Sequence, residues 1–275
     1  MKTKAVIGKV VLTVISVILA LIFIAPLIWS LAVSFQIEGK QIVSVWDWFK
    51  LPYTIHNYID IIKTSAVPIW TINSLVIAVV STALTVILSS MAAYAIAKIK
   101  FKGRNLIFFY FLLGLLVPGE ATIVPLFITA NNLNMIDTYA GLILPSIAGS
   151  MNMIIMVSFF KGLPNELIEA VRIDGGGELA VFFRIILPLS KAVISTVCIF
   201  AFIGSWNNYL WPLLCAMSQS KFTLPIGIPT FAGTYTIDYV KPLTAGMVAS
   251  LPMIILFLIF ERHIVEGVTM SGIKG

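Results

Sequence analysis

Charge is the scarcest ingredient of this chain. Only 11% of its 275 residues are Asp, Glu, Lys or Arg, where a soluble domain carries about 25%. That scarcity excludes an ordinary water-soluble domain, and no polar stretch is long enough to fold as a separate one. Histidine occurs only as His56 and His263, and no cluster has metal-ligand spacing, so no metal site is expected. No Ser, His and Asp set assembles into a nucleophilic triad. Nothing reads G-x-x-x-x-G-K-[ST], so the chain cannot cradle a nucleotide's phosphates in a loop of its own. These gaps argue against an enzyme and against a bound cofactor. Cysteine occurs twice, as Cys198 and Cys215, in one apolar stretch. On one continuous helix the two would lie about 25 Å apart, too far for a disulfide, so both are read as small buried hydrophobes. Neither internal repeats nor low-complexity tracts occur.

What fills the chain is apolar sequence, with a mean hydropathy of +1.02. The N-terminus has a basic start followed by a charge-free run from Val10 to Ile37. A cleavable signal core is about 7–15 residues long, so this run is read as a first spanning helix that stays attached. Five further apolar runs follow, and the six approximate cores are 10–33, 71–97, 106–130, 139–160, 190–214 and 243–261. Each is long enough to cross a bilayer, which takes about 20 residues. The expected fold class is an all-α membrane protein with six transmembrane helices.

Lysine and arginine set the orientation. With the N-terminus inside, thirteen of the 18 fall in inner segments and five in outer ones. Both termini are therefore expected in the cytoplasm of a multi-pass protein of the cell membrane. This distribution also explains the net charge of +6 without invoking nucleic acid. The outer loop 36–69 carries Trp46, Trp48, Phe49, Tyr53 and Tyr58, ring types that favour the headgroup level.

Three polar features interrupt the apolar runs. Glu120 is the one carboxylate inside a span, within "VPGEATIVP" (117–125). A continuous helix would set it about 24 Å from the inner edge, while Pro118, Gly119 and Pro125 weaken such a helix. It reads either as a polar contact on a translocation path, or as a glutamate paired to a neighbour or near an outer vestibule. The second feature is "GSWNNYLWPL" (204–213) on a helix heading outward. Trp206, Asn207 and Asn208 combine an aromatic face with amides, which suits a sugar, and equally suits interhelical hydrogen bonds and an interfacial belt.

The third feature is "KGLPNELIEAVRIDGGGELAVFFRIILPLS" (161–190). It reads as a helix, a sharp glycine turn and a second helix. Pro164 suits a first helical turn, Glu166 and Glu169 suit the positive end of the helix dipole, and Gly175 and Gly176 end the helix. Leu167, Ala170, Val171 and Asp174 fall on one partly apolar face. A short helix held crosswise at the cytoplasmic surface can fit a groove on another protein, or simply lie at the interface.

This stretch resembles the EAA loop of ATP-binding cassette importer permeases: E-A-A, three residues, G, nine residues, I, one residue, L-P. Glu169-Ala170-Val171, Gly175, Ile185, Leu187 and Pro188 are all in register, and Asp174 fits the common D-G pair. Val171 departs from the usual small residue, and Gly176 stands where many relatives have Ala. The segments 72–104, 117–127, 141–148, 204–213 and 265–275 are similar to carbohydrate-uptake permeases, most of all the second permease of the maltose, oligosaccharide and glycerol-phosphate group. The resemblance implies a type I importer fold, with a core at 69–262 between an N-terminal helix and loop (1–68) and a cytoplasmic tail (263–275). It implies a coupling helix between helices 4 and 5 that docks on a cytoplasmic ATPase, with Glu169, Ala170, Asp174, Gly175 and Pro188 as coupling residues. Glu120, Trp206, Asn207 and Asn208 stay the candidate residues for the substrate path on the readings given above. The implied partners are a homologous permease, an ATPase dimer that binds the ATP, an extracytoplasmic solute-binding protein, a carbohydrate and the bilayer. The tail "GVTMSGIKG" either reaches the ATPase or frays. The competing class, a self-sufficient secondary transporter or channel for small polar solutes, needs several embedded ionisable residues, and only Glu120 is available.

Overall fold

The computed structural model describes residues 2–37, 44, 46–47, 50–231 and 239–272, with side chains placed within 8–259. The chain is helical, and no strand occurs among the described residues. In order come α1 (Lys2–Ser34), α2 (His56–Thr64), α3 (Val67–Lys98), α4 (Arg104–Gly114), α5 (Gly119–Asn132) and α6 (Tyr139–Ile143). There follow α7 (Ser150–Lys161), α8 (Asn165–Ile173), α9 (Glu178–Leu189), α10 (Lys191–Trp206), α11 (Leu210–Cys215) and α12 (Val240–Gly272). Trp48, Phe49 and the last three residues of the tail lie outside the described residues.

Among the described residues, three unbroken helices are long and apolar enough to cross a membrane: Gly8–Ser34, Val67–Lys98 and Val240–Ile259. Three more spans arise when each bent pair counts as one: α4 with α5 at 103°, α6 and its extension to Ser146 with α7 at 44°, and α9 with α10 at 80°. Six spans therefore fit among the described residues, but three of the expected ones are not straight: 139–160 bends by 44° and the other two break. The run 106–130 breaks at 115–118, where Pro118 caps α5 at φ −59° and ψ 133°. Proline disfavours helical geometry in the residue before it and has no N–H to donate. The run 190–214 stops at Trp206, with Asn207 as its C-cap, and resumes at Leu210. Pro212 has no N–H to offer the residue 208 carbonyl, so a continuous ladder fails there. Cys198 and Cys215 accordingly lie on different helices, and both are free thiols.

The chain divides into two compact units, Met1–Pro68 with Gly227–Pro252, and Ile69–Ile226 with Met253–Gly275. In the first, the end of α1 is gripped by polar side chains. Asn57 donates to the Ser34 and Gln36 carbonyls at 2.8 and 2.7 Å. The Thr244 hydroxyl donates to the Ser34 carbonyl at 3.2 Å, and Ser34 shares a 2.6 Å hydrogen bond with Tyr58. These contacts satisfy the carbonyls that a helix C-terminus leaves open.

In the second unit, α3 is the common spine of two cores. Toward its C-terminal end, Ala93, Tyr94 and Ile96 pack with Met156, Val157 and Phe160 of α7, Ile168 of α8, Phe182 of α9 and Val197 of α10. Toward its N-terminal end, Ile77 packs with Ala130, Leu142, Ile143, Trp211, Cys215 and Ile226. Between them α3 buries small polar side chains, among them Ser81, Thr85 and Ser89. Small residues let helix backbones approach, and Ser146 of the extension to α6 donates to Ser81 at 3.1 Å.

Candidate coupling hairpin and transport path

The hairpin at 163–189 is built by local chemistry at each end of α8. Pro164 takes extended geometry as the N-cap, one residue earlier than the sequence suggested, and Asn165 opens the helix. Glu166 falls in the first turn and Arg172 in the last, each on the side the helix dipole favours. At the C-terminus, the Gly175 N–H donates to the Arg172 carbonyl at 3.1 Å and the Gly176 N–H to the Val171 carbonyl at 2.8 Å. With Gly175 at φ +80°, this pair of bonds is a Schellman cap. A side chain at 175 would face a left-handed backbone, which costs an L-residue about 1–2 kcal/mol. At Gly176 space decides instead: a Cβ there would lie 2.5 Å from Val171 Cγ1 and 2.8 Å from the Val171 carbonyl oxygen.

The face that α8 buries is not the partly apolar stripe of Leu167, Ala170, Val171 and Asp174. Ile168, only 3% exposed, enters the core, and Val171 is half-buried. Burying an isoleucine contributes about 2 kcal/mol. Leu167, Glu169, Ala170 and Asp174 remain exposed, and Ile173 is 85% exposed. Periodicity alone could not choose between the two faces, since each carries apolar residues. The choice follows from the core that α3 and α7 present. Leu179 and Phe183 of α9 add further exposed apolar surface. A concavity of about 390 Å³ opens at the turn, lined by Val171, Asp174, Gly175, Gly176, Gly177, Ala180 and Arg184. Thus Glu169 and Ala170 in the middle of α8, Asp174 at its C-cap and Gly175 in the turn are all exposed.

Pro188 lies away from that tip. It follows a wide π-type turn at Phe182–Ile186. Because proline cannot donate to the residue 184 carbonyl, the helix ladder shifts register there. Two residues later Ser190 breaks the path by 80°. Pro188 therefore shapes the return limb.

Residues that the sequence did not single out hold the hairpin to α3. The Lys98 ammonium donates to the Leu163 carbonyl at 2.6 Å and to Asn165 Oδ1 at 2.8 Å. Glu178 Oε1 accepts from Arg172 Nε at 3.1 Å and Nη2 at 2.8 Å, and its Oε2 accepts from the Tyr94 hydroxyl. The Tyr94 ring leans on Phe182 with centroids 5.5 Å apart. The available signal was the i, i+4 pair of Tyr94 and Lys98 at the end of a span, but nothing local pairs it with residues 65 or more positions away.

The residues assigned to the path are more dispersed. Glu120 is exposed in the first turn of α5. Trp206, 5% exposed, is buried and stacks on Phe202 at 5.7 Å and 12°. Asn207 is exposed and Asn208 half-buried, in the break between α10 and α11.

A second polar site closes the other end of this unit. Asp137, at φ +59°, accepts on Oδ1 from the Ser218 N–H at 3.0 Å, the Ser218 hydroxyl at 3.0 Å and the Met217 N–H at 2.9 Å. The Ser218 N–H, its hydroxyl, the Met217 N–H and nearby Lys221 hold this carboxyl below its ordinary pKa, against a smaller desolvation effect.

Residues 85–270 match the family described as "Binding-protein-dependent transport system inner membrane component". The arabinooligosaccharides transport system permease protein AraQ of Halalkalibacterium halodurans is 36% identical over 263 residues, covering 94% of this chain and 93% of that protein. The trehalose/maltose transport system permease protein MalG of Thermococcus litoralis is 33% identical, covering 99% of each chain. In fold, the chain is similar to a bacterial ABC transporter involved in the import of the acidic polysaccharide alginate, with a TM-score of 0.82 at 20% identity over 93% of this chain and 96% of that one. The chain belongs to the binding-protein-dependent transport system inner membrane component family and is a multi-pass permease subunit of an ATP-binding cassette importer, not an enzyme.

Proposed function

We propose that this permease forms one half of the translocation pathway of a carbohydrate importer and takes its energy through the 163–189 hairpin. The observation that carries the reading is the tip of α8. Glu169, Ala170, Asp174 and Gly175 are exposed together beside apolar Ile173, while the opposite face is anchored by Ile168. A helix anchored on one face and open on the other is suited to a groove on a second protein. The excess of lysine and arginine in the segments read as inner supports a cytoplasmic position for this tip and both termini, where an ATPase dimer meets it. A homologous permease supplies the other half of the path, and an extracytoplasmic binding protein delivers the sugar. ATP binding draws the two coupling helices together and turns the cavity outward, and hydrolysis resets it. The residues 69–262 form the importer core in this reading, with 1–68 as an added helix and loop and 263–275 as the tail.

Carbohydrate as the substrate class is supported by the sugars that the AraQ and MalG relatives are described as carrying. On the path, exposed Glu120 and Asn207 supply polar contacts from separate elements, with Asn208 next to Asn207 in the chain. Trp206 shapes the wall from behind through its stack on Phe202.

The test is made on the assembled transporter in proteoliposomes with its binding protein and sugar. Gly175→Pro or Glu169→Lys is expected to leave membrane insertion intact and to separate ATP hydrolysis from uptake, lowering uptake at least about tenfold. Unchanged uptake in both variants overturns the reading. Uptake by this permease alone in liposomes, without an ATPase, establishes the secondary-transporter alternative.

A further inference from the structure

The ties between the hairpin and α3 have a geometry that packing does not require. Tyr94 and Lys98 stand four residues apart, on one face of the last turns of α3. Lys98 takes the start of the hairpin, through the Leu163 carbonyl and Asn165. Tyr94 takes its return limb, through Glu178. Between these two grips Arg172 crosses the glycine turn to the same carboxylate. Glu178 thus uses one oxygen to close the turn and the other to bind α3.

Apolar contact already joins these elements, since Ile168, Phe182 and Tyr94 share a core. Apolar contact is non-directional and lets one surface slide on another. Hydrogen bonds to charged groups are directional and stronger than neutral ones. A displacement applied at the exposed tip would be absorbed by sliding if packing alone held the hairpin. Polar ties at both of its ends carry the displacement into α3 instead.

We propose that Tyr94, Glu178, Arg172 and Lys98 are positioning residues for energy coupling: they make the hairpin and α3 move as one body, so that force received at the Glu169–Gly175 tip reaches the spanning helices. This rests on the coupling role proposed above for the tip, and it adds where the force goes and through which atoms.

Tyr94→Phe is the sharpest variant, because it removes one hydroxyl and keeps the ring against Phe182. It is reconstituted with the complete importer, binding protein and sugar, and uptake and ATP hydrolysis are measured together. The expected result is normal yield of the complex, unchanged basal ATP hydrolysis, and about a tenfold fall in sugar imported per ATP, the factor that corresponds to losing one hydrogen bond to a charged acceptor. Glu178→Gln, similar in shape, is expected to fall in the same direction, and decides the matter if Tyr94→Phe does not assemble. An unchanged ratio of uptake to hydrolysis in the variant overturns the proposal. So does a parallel loss of complex, hydrolysis and uptake in Glu178→Gln, which marks a structural role only. If the wild-type complex itself imports sugar with no dependence on ATP, the coupling reading of the tip fails, and that outcome is distinct from a failure confined to the variants.

Discussion

The two ends of α3 are held in different ways. At the N-terminal end, the loop at 217–224 is stitched to the helix residue by residue. Trp70 Nε1 donates to the Gln219 carbonyl at 3.1 Å, Asn73 to the Ser220 and Phe222 carbonyls at 2.9 and 2.8 Å, and the Leu224 N–H to the Ser74 hydroxyl at 2.8 Å. Tyr139 closes onto Asn73 at 2.7 Å, under the Lys221 ammonium at 4.1 Å from its ring centroid. Trp211 Nε1 donates to the Gly141 carbonyl at 2.8 Å. At the C-terminal end, a few hydrogen bonds, each with one charged partner, grip the hairpin at its limbs, and its tip projects free of other described residues' cover. One end is braided by many bonds, most of them neutral, while the other is a lever with two grips. The proposed function calls for both designs: rigid where the loops are crossed, projecting where the hairpin would meet an ATPase. The difference also predicts which kind of damage each end suffers: loss of assembly at the first, loss of coupling at the second.

The largest effect is expected from filling the braid. A Cβ at Gly141 would lie 2.0 Å from the Met135 carbonyl oxygen, 2.9 Å from its carbon and 3.0 Å from Cys215 Sγ. Backbone cannot rotate away as a side chain can. Gly141 also donates its N–H to the capping Thr138 hydroxyl at 3.0 Å, so α6 has to shift bodily or lose its cap. Gly141→Ala is expected to destabilise the protein by about 3 kcal/mol or more, read as a loss of monodisperse protein in detergent. A variant with wild-type melting and yield would show that this end is as yielding as the other.

How much of this was legible in the sequence differs between the two ends for physical reasons. The hairpin announced itself, because Gly175 and Gly176 interrupt a helix-forming run and proline at 164 marks its start. These are local backbone effects, and local sequence specifies them. The face that α8 buries was not legible, since Leu167, Ala170 and Val171 match a helical stripe as well as Ile168 and Val171 do. The partner surface on α3 and α7 breaks the tie. The breaks at 115–118 and 207–209 were signalled by prolines, but how far each bends depends on what packs around it. The braid was almost silent. Asn73, Asp137 and Ser218 are ordinary polar residues in sequence, and their meeting depends on pairings across up to 149 positions.

A moderate effect is expected at the hinge, where two departures from the EAA pattern compensate each other. Val171 stands where a small residue is usual, and its Cγ1 occupies the space that a Cβ at 176 would need. Gly176→Ala alone is expected to cost about 2 kcal/mol by overpacking. Val171→Ala alone is expected to cost about 1 kcal/mol, from half-buried methyl groups. The double variant is expected to be more stable than the sum of the two by about 1 kcal/mol. Part of the cost remains, because the Val171 carbonyl oxygen, 2.8 Å from the added Cβ, is still there. Thermal unfolding of the four proteins completes the cycle. Strict additivity would mean that the two sites do not share this space, and that the hinge has room to spare.

The smallest effect is expected at the edge of the braid, and it depends on pH. Asp137 has its carboxyl pKa depressed in the folded protein by the Ser218 N–H first, then its hydroxyl, Met217 and Lys221. A depressed folded pKa means that the unfolded chain binds the proton more readily. The stabilisation is therefore complete above the unfolded value of about 3.9 and disappears as pH falls through the lower folded value. Asp137→Asn is the appropriate comparison, since asparagine tolerates the left-handed backbone at φ +59° and keeps an oxygen that accepts. The variant is expected to melt roughly 2–4 °C below wild type at neutral pH, with the gap closing only in strong acid. Equal melting at pH 7, or a gap that closes between pH 7 and 5, would show that the carboxylate does not hold the crossing loops. In that case neutral hydrogen bonds from Trp70, Asn73 and Ser74 carry that end of α3 alone, and charge is used only where the hairpin has to be gripped.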